Sequence, residues 1–182
     1  MSNKIKLGLV IGAVLLVTLF INIAYKDDAK EINKIVNSLN QPMTNIVHIE
    51  FLDNKKAIAF YEWGPTDQVY FGEATLKKGL FGWEFLSGAT GQVSMEHKLD
   101  WGFSNLAMDF SNYTDLIRGK ILDPEIVEVK ILTKKDNEYN ASIVEKHNNE
   151  RFWFLITNGE DLLGSTITGL SSKGEIIEQI TR

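Results

Sequence analysis

Cysteine is absent from the 182 residues, which removes disulfides, zinc–thiolate sites, thiol nucleophiles and cysteine lipidation together. The core must hold by packing alone. Histidine occurs only at His48, His97 and His147, and none has a second ligand at metal spacing, so no metal centre is expected. The chain also lacks a His-Glu-x-x-His pair, a phosphate loop, a dinucleotide fingerprint and a Gly-x-Ser-x-Gly elbow. No catalytic residue and no cofactor is assigned, although a site assembled from distant residues escapes a motif search.

Basic clusters are missing too. Beyond Lys26 the chain carries 16 basic and 24 acidic residues, a net charge of −8, and that sign argues against nucleic acid or anionic headgroups as partners. Proline and arginine are scarce while lysine, asparagine and isoleucine are common. With the missing disulfides, this is the composition of a low-GC Gram-positive bacterium.

What the chain does have is one long uncharged run, Leu7 to Ala24. As a helix it measures roughly 27 Å, enough for the hydrocarbon core with slight thinning. Lys4 and Lys6 precede it and charges of both signs follow, so the positive-inside bias expects residues 1–6 in the cytoplasm and the rest outside. A cleaved signal peptide starts the same way, but Asn22 stands two before Ala24 where a small residue belongs, which favours an uncleaved anchor. A buried core helix, the third reading, would carry a polar stripe that this run lacks. The expected location is therefore the cell membrane, with a single pass through the lipid bilayer over 7–24 and an extracellular C-terminal domain.

Residues 25–43 read as a helical juxtamembrane segment. Ile32, Ile35, Val36 and Leu39 share one face of a helix from Asp28 to Asn40, with Asp28 and Glu31 resembling a capping box and Pro42 closing it. It serves either as a stalk or as a helix packed on the domain behind it.

From Thr44 the period becomes 2, predicting an extracytoplasmic β-rich domain over 44–182. Val47 to Phe51 and Ala57 to Trp63 form a hairpin about Asp53-Asn54. Gln68 to Lys77 is a third strand and Phe81, Trp83 and Phe85 line a fourth, with turns at Lys78-Gly79 and over Gly88 to Gly91. Val93 to Trp101, with His97 on its apolar face, is a fifth, completing an antiparallel meander. Residues 102–119 fit neither period and are read as a short helix or covering loop, the place for a subdomain boundary if there is one. Val127 to Ile131 and Tyr139 to Ile143 make another hairpin, RFWFLIT at 151–157 is a central strand buried on both faces, and Ser165 to Leu170 and Glu175 to Ile180 close the sheet. The fold class is mainly β: a transmembrane helix and a short amphipathic helix, then an antiparallel meander or sandwich-like domain.

The order GKILDPEIVEVKI, NASIVEKHNNERFWFLI, ITGLSSKGEII resembles the outward-facing domains of small signal-anchored extracytoplasmic β-domain proteins of Bacillus-like Gram-positive bacteria. The resemblance covers the last 65 or so residues. It implies location and a β fold and carries over no functional residue.

Trp63, Trp83 and Trp101 each adjoin a glycine and are the candidate binding residues, because exposed tryptophans stack on sugar rings or form protein-binding patches; core packing is the competing account. Glu62 with Glu73, or Glu84 with Glu96, would supply the paired acids of a glycosidase if their separation allowed. Three function classes follow. An anchored domain binding a protein or cell-envelope component is favoured over an enzyme acting on a cell-wall polymer. A pilin-like subunit fits the element order, but the fifth-position glutamate of such proteins falls at Ala13.

Overall fold

The computed structural model describes residues 27–39, 45–65, 68–146 and 148–181. The expected span over 7–24, Pro42 and His147 lie outside the described residues. Among the described residues no helix is long and apolar enough to cross a membrane.

In chain order the elements are α1 (Asp28–Asn37), β1 (Asn45–Asp53), β2 (Lys56–Trp63), β3 (Tyr70–Gly79), β4 (Gly82–Gln92), β5 (Gly102–Asn105), β6 (Asp115–Ile121), β7 (Glu128–Leu132), β8 (Glu138–Asn140), β9 (Ser142–Glu145), β10 (Arg151–Ile156), β11 (Thr166–Leu170) and β12 (Ile176–Thr181). The strands form three antiparallel sheets ordered β1-β2-β3-β4, β5-β6-β10-β9 and β12-β11-β7-β8. The mainly β expectation holds, and the meander is real for four strands.

The sheets stack face to face, with the helix as a fourth layer. Period-2 alternation explains how. On β2, Ala57, Ala59 and Tyr61 join Ile32 and Val36 of α1, while Ile58 and Phe60 face the second sheet with Phe71 of β3. In the second sheet Leu116, Phe152 and Phe154 face the first, and Ile117, Ile121 and Trp153 face Val129, Ile131 and Ile167 of the third. A sheet covered on both sides favours apolar strands, and any charge it carries must be answered across the interface. The apolar run of β10 fits, and β6 is buried along its whole length.

The helix packs on the first sheet rather than standing off as a stalk. Its N-cap is Asp27, one residue earlier than expected, whose Oδ1 accepts from the Lys30 N–H at 3.3 Å. Asp28 and Glu31 in the first turn and Lys34 in the last complement the helix dipole.

Five expectations need correction. Gly88 to Gly91 is not a turn but part of β4: side chains at Gly72 and Gly88 would crowd the carbonyls of Ala89 and Glu73, so these glycines permit close approach between strands. Phe81 and Phe85 do not line an inner face; the turn falls at Leu80-Phe81, and both phenylalanines are exposed. Val93 to Trp101 is not a strand but an irregular crossover between sheets with one bridge, Leu99 to Ile121, and His97 is exposed against Glu178 at 3.1 Å. Residues 102–119 are neither helix nor plain loop, since they supply β5 and most of β6. Tyr139 to Ile143 also divides at Ala141, where the chain passes from the third sheet to the second.

Candidate functional site

Between the second and third sheets the packing leaves an apolar cavity of about 390 Å³. Trp101 and Phe103 bring its aromatic wall, Ile117, Ile167 and Ile180 its sheet walls, and the segment 162–165 closes one side. That segment is fixed from below. Asp115 Oδ2 accepts from the Leu162 N–H at 2.8 Å, Thr114 Oγ1 accepts from the Gly159 N–H at 2.6 Å, and Thr157 Oγ1 donates to the Glu160 carbonyl at 2.9 Å. Gly164 turns the chain at φ +80°, a conformation that suits glycine.

Two polar groups meet this apolar space. Ser165 is 5% exposed, and its hydroxyl has no hydrogen-bond partner among the described residues. A buried hydroxyl left so costs about 1–3 kcal/mol, which makes it the one feature of the cavity that packing does not account for. Lys134, exposed on the β7–β8 turn, forms no ion pair within 4.0 Å among the described residues. Its neighbours differ: Lys135 lies 3.8 Å from Glu160 Oε1, and the Asn137 side chain donates to Glu160 Oε2 at 3.1 Å. Glu160 thus ties the turn to the cavity wall and leaves the Lys134 ammonium at the mouth.

The wall carries a pH signature. Burial pushes the Asp115 carboxyl up from 3.8; the Leu162 N–H pulls it back and Asp161 pushes it up again. Between 3.8 and the raised value the folded chain holds a proton that the unfolded chain releases, so stability falls as pH rises through that window. Asp115→Asn keeps an oxygen for Leu162 and removes the titration. Its urea midpoint is therefore expected to gain on the wild type as pH rises from 3.8 toward neutrality, and a gap that stays constant with pH would refute this.

The candidate tryptophans are not brought together. Trp101 lines the cavity, whereas Trp63 and Trp83 lie on the helix side of the first sheet. Trp83 is 5% exposed and contacts Phe51 edge-on at 5.9 Å; Trp63 stacks on Tyr70 at 4.1 Å and donates to Thr90 Oγ1 at 2.8 Å.

Glu62 and Glu73 are partnered by cations instead of by each other. Glu62 and Glu73 do share the face of the first sheet that meets the second, but Glu62 binds Lys120 at 2.6 Å and Lys146 at 2.8 Å, and Glu73 binds Arg118 and Ser104. Glu84 stands opposite Lys77 in the β3–β4 register, and Glu96 lies in the crossover turn. No group of three metal-ligating side chains occurs among the described residues. Comparison with protein-family models, curated proteins and solved structures finds no match.

Proposed function

We propose that this chain is a membrane-anchored, outward-facing binding domain whose ligand is a small amphipathic molecule of the cell envelope, held between the second and third sheets. The buried, unpartnered Ser165 hydroxyl in an otherwise apolar cavity carries the reading. The cavity falls at the small end of the range for ligand sites, which are mainly apolar with a few convergent polar groups. Such a site suits an apolar body with a head that accepts a hydrogen bond from Ser165 or carries a negative charge toward Lys134. A medium-chain carboxylate has that form. The anchor rests on the uncharged run 7–24, which would set the site beside the membrane that supplies such molecules.

The test uses the full chain in lipid nanodiscs with a dodecanoate bearing a photoreactive diazirine, and maps the adducts by mass spectrometry. Adducts are expected at 101–103 and 162–167, competed by plain dodecanoate; adducts scattered evenly over the chain would end the proposal. Lys134→Glu is expected to weaken labelling roughly tenfold, the equivalent of one charge-assisted contact. Ser165→Ala separates binding from packing. Removing an unsatisfied hydroxyl should stabilise the unliganded chain, by about 1–3 kcal/mol, while weakening capture of the probe. A Ser165→Ala variant that is less stable and binds as well would assign the hydroxyl to packing.

A further inference from the structure

The β3–β4 turn places two large apolar side chains at a hairpin tip where polar residues are the rule: Leu80 is 84% exposed and Phe81 83%. Phe51, at the same end of the first sheet, is also exposed and touches Trp83. Single exposed apolar residues are ordinary, but two adjacent at a tip with a third nearby form a patch that asks for a covering surface.

This tip is tied to the start of α1. Lys78 Nζ donates to Asp28 Oδ1 at 2.6 Å, and a side chain on Gly82 would overlap the Glu31 carboxylate, so the first helical turn rests against the hairpin end. Asp28 is only four residues beyond Ala24, where the uncharged run ends. Four residues reach at most about 14 Å. Whatever surface holds residues 7–24 therefore lies within a short reach of Leu80 and Phe81.

We propose that the Leu80-Phe81 tip inserts into the interfacial layer of the bilayer that holds the 7–24 anchor, giving the domain a second point of attachment and a fixed orientation. This rests on the anchored reading. The net charge of −8 beyond the anchor disfavours attraction to anionic headgroups, so insertion depends on apolar area, with Lys77 and Lys55 beside the tip able to extend their ammonium groups back toward water. Interfacial segments of this kind pair aromatic and aliphatic side chains with flanking lysines.

The missing cysteines allow site-specific labels on the full chain without background. Leu15→Cys, Leu80→Cys and Lys173→Cys, the last in the β11–β12 turn of the third sheet, are each labelled with an environment-sensitive fluorophore and reconstituted into phosphatidylcholine vesicles. The expected result is that doxyl-bearing lipid removes most of the emission at positions 15 and 80 and little at 173, while aqueous iodide does the reverse. If position 15 is quenched by lipid but position 80 only by iodide, the anchor stands and the inserted tip is overturned, leaving the patch to a protein partner. If position 15 is reached by iodide and spared by lipid, the anchored reading falls and this proposal with it.

Discussion

Gly119→Ala is expected to lower the stability of the domain by about 3–5 kcal/mol, a large share of the 5–15 kcal/mol that folded domains have. Gly119 sits in the middle of β6, paired with Trp153 and directed at the third sheet. A side chain there would coincide with the Asp100 carbonyl oxygen and press on Trp101 Cα. The obstacle is backbone, so no rotamer change relieves it. Nor is that backbone free to shift. The Asp100 N–H donates to the Lys120 carbonyl at 2.9 Å, its own carbonyl accepts from Trp153 Nε1 at 3.1 Å, and Leu99 bridges to Ile121. Moving the crossover would break all three and open the wall that carries Trp101. Gly91→Ala is the control, since a Cβ at Gly91 meets nothing within 4 Å and the backbone has no positive φ. It is expected to change the urea midpoint little or to raise it, because alanine restricts the unfolded chain. Similar midpoint losses for the two variants would mean that the crossover does not lie on β6 as described.

That crossover also marks where sequence reading stops. Val93, Met95, His97, Leu99 and Trp101 alternate as a strand would, yet only Leu99 forms a ladder bridge, because the segment leaves the first sheet at Val93, whose N–H donates to the Val69 carbonyl, and meets the end of β6 only over 98–100. Alternation alone does not separate a strand from a crossover: Val93 and Leu99 are buried here, while Met95 and His97 of the same phase are exposed. β10 was legible for the opposite reason: a strand covered on both faces favours a continuous apolar run, and residues 152–156 of β10 are one. The helix was legible from Ile32, Ile35, Val36 and Leu39, with its cap displaced by one residue because Asp27 and Asp28 are equally suitable acids and only the extended backbone of Asp27 selects it.

The cavity was legible only at Trp101. Phe103, Ile117, Lys134, Ser165 and Ile180 come from separate segments, and their convergence depends on the order β5-β6-β10-β9 beside β12-β11-β7-β8, which no local pattern encodes. Ser165 reads locally as the first residue of a strand; its significance lies in burial without a partner, a property of the fold. Likewise the acids of β2 and β3 are visible in sequence, but not the cations that answer them. Arg118 and Lys120 share the face of Leu116 and alternate with Ile117, Gly119 and Ile121 on a strand buried throughout, and only the stacking of the first sheet on the second explains why.

Arg118→Met should therefore cost about 3–5 kcal/mol at neutral pH, as should Glu73→Leu, while the double variant should lie within about 1 kcal/mol of wild type or above it. Glu73 is 1% exposed and Arg118 4%, among Phe71, Phe154 and Leu116. Arg118 Nε donates to Glu73 Oε2, Nη2 donates to the Ala89 carbonyl at 3.1 Å, and the guanidinium lies 5.6 Å from the Phe71 ring centre; Ser104 donates to the other Glu73 oxygen. Burial pushes the Glu73 carboxyl up from 4.5, and Arg118 and Ser104 pull it back. Each charge is tolerable because the other answers it, so removing one leaves an uncompensated ion in an apolar interface, whereas removing both leaves side chains that pack. In Arg118→Met the carboxyl has lost its main opposing charge and should hold its proton further above 4.5. The folded variant then keeps a proton that its unfolded chain gives up, so its deficit against wild type should shrink as pH falls toward 4.5 and widen as pH rises to neutrality. Urea midpoints of the four proteins at both pH values decide it. A double variant as unstable as the sum of the singles would show that the two residues act separately, and that the first and second sheets are held by something other than this pair.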